Sequence, residues 1–149
     1  MSVFLPEYDS AYFNALSEGF LPGLLGIRML EIGQGRVLAS LEIRQALHAT
    51  NGFLHAGTVV ALADTACGYG CVAHLPPGAK GFTTLELKSN HLGTALDGVL
   101  EARSEGRPPG AQHAGLGRHR QAPGQWQDPG PVSLHPDDPV AARQAVNHA

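Results

Sequence analysis

The spacing of apolar residues divides the first part of the chain into helical and extended segments. Residues 8–18 place apolar side chains at helical spacing, and a glycine and a proline follow them, so this pattern predicts a short helix. Residues 27–32 and 36–43 have the composition and alternation of strands and are joined by a short segment with two glycines, which is typical of a hairpin. The pattern up to this point predicts helix, strand, strand.

Residues 58–74 carry Val, Leu, Ala, Cys and Gly along one stripe, which predicts a helix of about four turns. Many of these residues are small, and small residues suit a helix that a sheet wraps closely. Residues 82–88 and 98–103 predict two further strands. The whole order indicates an α+β fold in which one long helix packs on an antiparallel sheet.

The composition changes abruptly near residue 104. Residues 104–149 hold seven of the 11 prolines, and their large apolar side chains are only Leu116, Trp126, Val132, Leu134, Val140 and Val146. Such a segment buries too little surface to offset the entropy of ordering it. We therefore expect a domain over residues 1–103 and an irregular or disordered tail over residues 104–149.

Charge and cysteine content narrow the classes of partner and compartment. The 149-residue chain has a net charge of -3, which gives no electrostatic reason to expect nucleic acid or a membrane as partner. No apolar run approaches the roughly 18 residues of a membrane span, and the N-terminus lacks the pattern of a signal peptide. Cys67 and Cys71 share one face of the predicted helix, so we expect reduced packing cysteines in a cytoplasmic protein, with no metal and no cofactor.

The candidate chemistry gathers around the predicted long helix. The segment NGFLHAG brings His55 to the helix start, where unpaired N–H groups and the dipole can hold an oxyanion or an anionic ligand. Asp64 lies among small apolar residues, where a carboxylate is costly unless it is paired or used. Three simpler interpretations stay open: Asp64 caps or forms a salt bridge, His55 is a capping or packing residue, and Lys88 and Asn90 are solvated.

The segment HAGTVVALADTACGYG, preceded by NGFL, resembles the phenylacetate-pathway type of hotdog-fold acyl-CoA thioesterases. The similarity continues through FTTLELKSNHLGTALDGVLEAR and covers residues 15–103. In that family a His-Gly-Gly motif opens the central helix, and an acidic residue follows the histidine by nine positions, the separation of His55 and Asp64 here. The resemblance implies a hotdog fold, an antiparallel sheet wrapped around a long central helix, with the last strands missing or replaced in this chain.

The same resemblance implies the reaction and the site. The reaction is hydrolysis of an acyl-CoA thioester to free acid and CoA, with Asp64 as general base or nucleophile. The backbone N–H of Ala56 polarises the thioester carbonyl, and His55 shapes the loop. The substrate is then bound by residues of the motif and of a segment from the neighbouring subunit: Gly57, Lys88, Ser89 and Asn90.

Two positions depart from the family pattern. Ala56 stands where the motif has its first glycine. The alanine keeps the backbone N–H, but its methyl group narrows access to that N–H. Ala49 stands where many relatives have an Asn or Gln that orients the carbonyl, so Asn51 or His48 would have to substitute for it.

Helix geometry adds a requirement for a second subunit. Ala56 and Asp64 are separated by eight residues, and at about 1.5 Å per residue they lie about 12 Å apart along one helix. One thioester carbon cannot touch both groups, so they must come from two chains. We expect a homodimer at least, and the resemblance also admits a homotetramer.

Two alternatives to a thioesterase remain. The first is a non-catalytic acyl-CoA-binding or regulatory protein on the same fold, because a fold does not fix a function. The second is a hotdog hydratase, which the spacing of the motif favours less.

The tail itself has two explanations. Read in a shifted frame, with degenerate bases chosen freely, residues 107–128 can encode VHLGRSTQVWDATVRRQASGKT and residues 129–139 can encode LALFRCTQMIL. These strings alternate like two strands separated by a turn with glycine, and they resemble the end of the family. A frameshift near codons 104–106 would explain the change in composition, and the competing explanation is a natural disordered tail.

Overall fold

The computed structural model describes residues 4–84, 87–91, 93–107, 111–120 and 144–147, with side chains as far as residue 104. Two short helices come first, α1 (Ser10–Leu16) and α2 (Leu21–Leu25), followed by strands β1 (Ile27–Gly33) and β2 (Arg36–Glu42). A 3₁₀ turn at Gln45–Leu47 leads to the 17-residue helix α3 (Ala56–Val72). The remaining strands are β3 (Gly81–Thr84), β4 (Val99–Arg107), β5 (Ala111–Arg120) and β6 (Gln144–Asn147).

The main sheet has the strand order β1-β2-β4-β5, and every neighbouring pair is antiparallel. β3 pairs with β6 in a separate two-stranded sheet. Helix α3 contacts all four strands of the main sheet and also β3. This arrangement confirms the predicted α+β fold with one long helix packed on an antiparallel sheet.

Small residues line the contact between α3 and the middle of the sheet. On β2, Val37, Ala39 and Leu41 alternate inward and are fully buried. Their partners on β4 are Ser104, Ala102 and Leu100, of which the first two are also fully buried. Because Ala and Ser project so little, the helix backbone can approach the sheet, as the many small residues of the predicted helix suggested.

Helix α1 has a local cap and is fixed to this core at two points. The Asp9 carboxylate caps it by accepting the N–H of Tyr12 at 2.8 Å. The Asn14 amide both donates to the carbonyl of Met29 and accepts its N–H, which ties the helix to β1. Phe13 is fully buried and stacks on Tyr69 of α3 at 4.3 Å between ring centroids.

Three boundaries differ from the sequence-based prediction. Helix α2 was not predicted, because Pro22 was read as ending a helix, whereas it lies in the first turn of one, where proline is tolerated. Helix α3 begins at Ala56, two residues earlier than predicted, since His55 caps it. The predicted strand over residues 82–88 is observed only at Gly81–Thr84, and residues 87–91 have no regular secondary structure.

The tail also differs where it is described. Residues 104–149 were expected to be irregular, yet the backbone at Ala111–Arg120 pairs with β4 and that at Gln144–Asn147 pairs with β3. The free edge of a strand offers N–H and C=O groups to any extended backbone, so such pairing needs no apolar side chains. The rest of the predicted tail lies outside the described residues.

Among the helices of the described ranges, none combines the length and the apolar character that crossing a membrane requires.

Candidate active site

The start of α3 is shaped by His55. This residue is the N-cap of the helix, and its Nδ1 atom accepts the N–H of Gly57 at 2.9 Å. A Cβ atom at Gly57 would lie 2.9 Å from the same Nδ1, so the glycine leaves room for the ring. His55 therefore has the capping role that its position admitted, and it fixes the loop at the helix start.

Ala56 is the first residue of α3 and is exposed. The amides of a first helical turn have no acceptor within the helix. His55 accepts the N–H of Gly57 through its Nδ1 atom and that of Thr58 through its carbonyl at 2.9 Å, whereas the N–H of Ala56 has no acceptor among the described residues. The N–H of Ala56 is thus available at the positive end of the helix dipole. A carbonyl oxygen that gains negative charge would be stabilised there.

The loop before the helix holds the residues proposed to replace the missing amide at Ala49. The Asn51 carboxamide oxygen accepts the N–H of Phe53 at 3.2 Å, so that oxygen is engaged in a local turn. The Nε2 atom of His48 is buried and has no hydrogen-bond partner among the described residues. The structure therefore gives Asn51 a conformational role and leaves one nitrogen of His48 unsatisfied.

Asp64 lies near the middle of α3 and is half-buried. Its Oδ1 atom accepts a hydrogen bond from the Thr84 hydroxyl on β3 at 3.0 Å. No lysine, arginine or histidine of the described ranges forms an ion pair with this carboxylate. The described residues therefore provide no salt-bridge partner for Asp64, and none of them forms a hydrogen bond with its second carboxylate oxygen.

The two thiols of the same helix are poor nucleophiles. Burial raises the pKa of Cys67 to about 11; a hydrogen bond from Ser104 opposes this shift, and the charge of Asp64 adds to it. Burial likewise raises the pKa of Cys71 to about 12. A thiol with a raised pKa is rarely ionised at neutral pH and reacts slowly. Neither thiol is therefore a good nucleophile at neutral pH.

The structure divides the predicted site residues between two segments. Ala56, Gly57 and Asp64 lie on α3, whereas Lys88, Ser89 and Asn90 lie in the irregular segment after β3. In that segment Lys88 and Ser89 are half-buried, and the Ser89 hydroxyl lies 2.8 Å from Nε2 of His91.

Thr84 was missed by the sequence analysis. The segment FTTLELK was interpreted only as a strand, although its alternation already places residues 82 and 84 on one face. What the sequence could not reveal is which face meets α3.

Side chains that could ligate a metal do not cluster: within the ranges that the structure describes, no group of three His, Cys, Asp or Glu residues could hold an ion.

Comparisons with known proteins agree with this geometry. The sequence model described as "Thioesterase superfamily" matches residues 51–105, which include α3 and most of β4. A 1,4-dihydroxy-2-naphthoyl-CoA hydrolase from Listeria monocytogenes serotype 1/2a (strain 10403S) is 31% identical over 81 residues, which cover 54% of this chain and 65% of that protein. The chain thus spans less than two thirds of this curated relative.

Solved structures extend the match to the fold. A thioesterase family protein from Silicibacter pomeroyi is 30% identical, with a TM-score of 0.60 over 70% of this chain and 78% of that chain. A mutant thioesterase from Pseudomonas aeruginosa is 25% identical, with a TM-score of 0.64 over 73% of this chain and 78% of that chain. The chain belongs to the thioesterase superfamily and has its hotdog fold.

Proposed function

We propose that this protein hydrolyses an acyl-CoA thioester to the free acid and CoA. The observation that carries the proposal is the Asp64 carboxylate, which lies half-buried on α3 without an ion pair among the described residues. The family match and the capped helix start nine residues earlier support it. A carboxylate beside a backbone donor provides the two groups that acyl transfer to water requires.

The reaction has two routes that use the same groups. In the first, Asp64 takes a proton from water, and the hydroxide adds to the thioester carbon while the N–H of Ala56 stabilises the oxyanion. The C–S bond then breaks, and the CoA thiolate takes the proton back. In the second, Asp64 adds to the carbon itself and expels the thiolate, and water hydrolyses the resulting anhydride. Neither route needs a cofactor.

The distance along α3 supports a site shared by two subunits. Ala56 and Asp64 belong to the same continuous helix, so about 12 Å separates them along its axis. We propose a homodimer in which Asp64 of one chain faces the Ala56 N–H of its partner, with Ser89 and Asn90 also contributed across the interface. A tetramer of two such dimers would keep the same sites.

For the acyl group we propose an aryl or medium-chain substrate. The Listeria monocytogenes relative is named a hydrolase of an aryl-CoA, which supports the aryl choice. We also propose that the protein acts in the cytoplasm, and the absence of a disulfide at Cys67 and Cys71 supports this.

We propose further that the family sequence of the domain ends near residue 104 and that a frameshift follows. The family match ends at residue 105, where the composition changes, and this supports a loss of frame near codons 104–106. Sequencing the coding DNA tests it: one base inserted or lost there is expected, and an intact frame would favour a natural tail.

The non-catalytic alternative has one observation in its favour. Ala49 carries no group that could orient a carbonyl, and the Asn51 oxygen is engaged in its own turn. A protein that binds acyl-CoA without cleaving it would keep its fold and ligand when Asp64 is changed, and would release no thiol before the change either.

Release of CoA thiol from benzoyl-CoA and hexanoyl-CoA tests the function. We expect wild type to release thiol, and Asp64→Asn to lower kcat at least about 1,000-fold while its thermal stability stays unchanged. Glu42→Gln, which removes an exposed carboxylate from β2, is the matched control and should keep full activity. An inactive wild type, or an Asp64→Asn variant as active as Glu42→Gln, would overturn the proposal.

A further inference from the structure

Strand β3 contacts the chemically important part of α3 at two matched points. Thr84 donates to Asp64, and Phe82 lies against Gly68. Residues 82 and 84 share one face of the strand, and residues 64 and 68 are neighbours on one face of the helix. The two contacts therefore form a single alignment of the strand on the helix.

The contact between Phe82 and Gly68 determines how closely the strand approaches. A Cβ atom on Gly68 would lie 2.8 Å from Cζ of Phe82, which is closer than real Cβ atoms come to a neighbour. Only glycine admits the ring at this distance. Because the ring is seated on the helix backbone, the hydroxyl two residues along the strand lies within 3.0 Å of the carboxylate.

The hydrogen bond itself adds little to the stability of the fold. Thr84 is exposed, so its hydroxyl would be satisfied by water if the bond were lost. The bond has a larger effect on the orientation of the Asp64 carboxylate. The terminal torsion of an aspartate is broad, and a hydrogen bond to the charged group restricts it. The arrangement thus orders the reactive group more than it stabilises the protein.

We propose that Thr84 is a positioning residue for the thioesterase reaction, an inference that rests on the proposed function of Asp64. The Thr84 hydroxyl holds Oδ1 and thereby presents Oδ2 to water or to the thioester carbon. Thr84 does not touch the substrate, so its loss lowers the rate of the chemical step and leaves substrate binding unchanged.

Three substitutions on β3 test this role with benzoyl-CoA and hexanoyl-CoA. Thr84→Val keeps the shape of the side chain and removes the hydroxyl, so we expect kcat to fall about tenfold with KM unchanged. Thr84→Ser keeps the hydroxyl and should restore most of kcat. Thr83→Val removes the hydroxyl of the neighbouring exposed threonine on the opposite face and is the matched control.

Thermal unfolding of the same variants separates positioning from folding. We expect equal melting temperatures for Thr84→Val and Thr83→Val. If these two variants have the same kcat, or if Thr84→Val loses activity only through a raised KM, the inference is wrong while the proposed function stands. If wild type releases no thiol, or Asp64→Asn is fully active, both fail together.

Discussion

The polar groups at the two ends of α3 differ in burial and in how completely they are hydrogen-bonded. At the first turn, Ala56 is exposed with its N–H available, and the exposed His55 uses one ring nitrogen as a cap. Just beyond the last turn, His74 is buried, and both of its ring nitrogens are engaged. Its Nδ1 donates to the carbonyl of Gly70 at 2.8 Å, and its Nε2 accepts the N–H of Gly35 at 2.9 Å.

The C-terminal end of α3 therefore contributes mainly to stability, whereas the proposed chemistry lies toward its N-terminal end. The C-terminal end joins α3 to the hairpin of β1 and β2 through His74, and it buries Cys67 and Cys71. At the N-terminal end, the N–H of Ala56 has no acceptor among the described residues, and near the middle of the helix Asp64 has one carboxylate oxygen without a described partner. Because the polar groups at the C-terminal end have hydrogen-bond partners, the N-terminal end can keep an N–H without a partner and the protein still folds.

Removing the buried histidine should have the largest effect on stability. We expect His74→Ala to lower the free energy of unfolding by about 4 kcal/mol, since it leaves a cavity, the buried carbonyl of Gly70 and the half-buried N–H of Gly35 without partners. Urea denaturation measures this change. His55→Ala, at the other end, is the comparison and should cost about 1 kcal/mol, the value of a helix cap. Equal losses of unfolding free energy in the two variants would contradict the difference between the two ends of α3.

A smaller effect should follow from raising the pH. The pKa of Cys67 is about 11 in the folded protein and 9.0 as its ordinary value, so the folded state holds this proton more tightly. The resulting stability is fully present below pH 9 and is lost as the pH rises toward 11. Between pH 8 and pH 10.5 we expect wild type to lose about 2 kcal/mol more than Cys67→Ala. Parallel curves for the two proteins would show that the thiol is not buried as described.

The sequence predicted those features that depend on residues close together in the chain. The stripe of small apolar residues identified α3, and the separation of His55 and Asp64 placed a capped start and a carboxylate on it. The sequence could not identify the partners of Asp64 and His74, because Thr84 lies on a strand 20 residues away from Asp64 and Gly35 lies in a turn 39 residues away from His74. The prediction at Pro22 was wrong because a proline can either follow the end of a helix or lie in the first turn of the next one.

The strands after residue 107 were missed for a different reason. Composition reports how much apolar surface a segment can bury, and residues 104–149 have little. It does not report whether a neighbouring strand has an unpaired edge, and β4 offers such an edge to Ala111–Arg120. Backbone pairing of this kind can be found only from the three-dimensional arrangement.

The proposed site between two subunits can be tested with Ala56→Pro, which removes the proposed oxyanion donor and little else. Proline is tolerated at the first helical position, and His55 already has the φ of -67° and ψ of 130° that a residue before proline requires. We expect this variant to fold normally and to lose about 100-fold to 1,000-fold in kcat, as removal of one oxyanion donor does elsewhere.

Mixed dimers of Ala56→Pro and Asp64→Asn measure the central claim most directly. If the two groups of each site come from different chains, a mixed dimer has one intact site of its two, so purified mixed dimers should have about half of wild-type activity. Each variant alone should stay inactive. Co-expression with two affinity tags, followed by assay of the doubly tagged dimers on benzoyl-CoA, provides the measurement. Mixed dimers as inactive as the two parents would contradict a site shared between subunits.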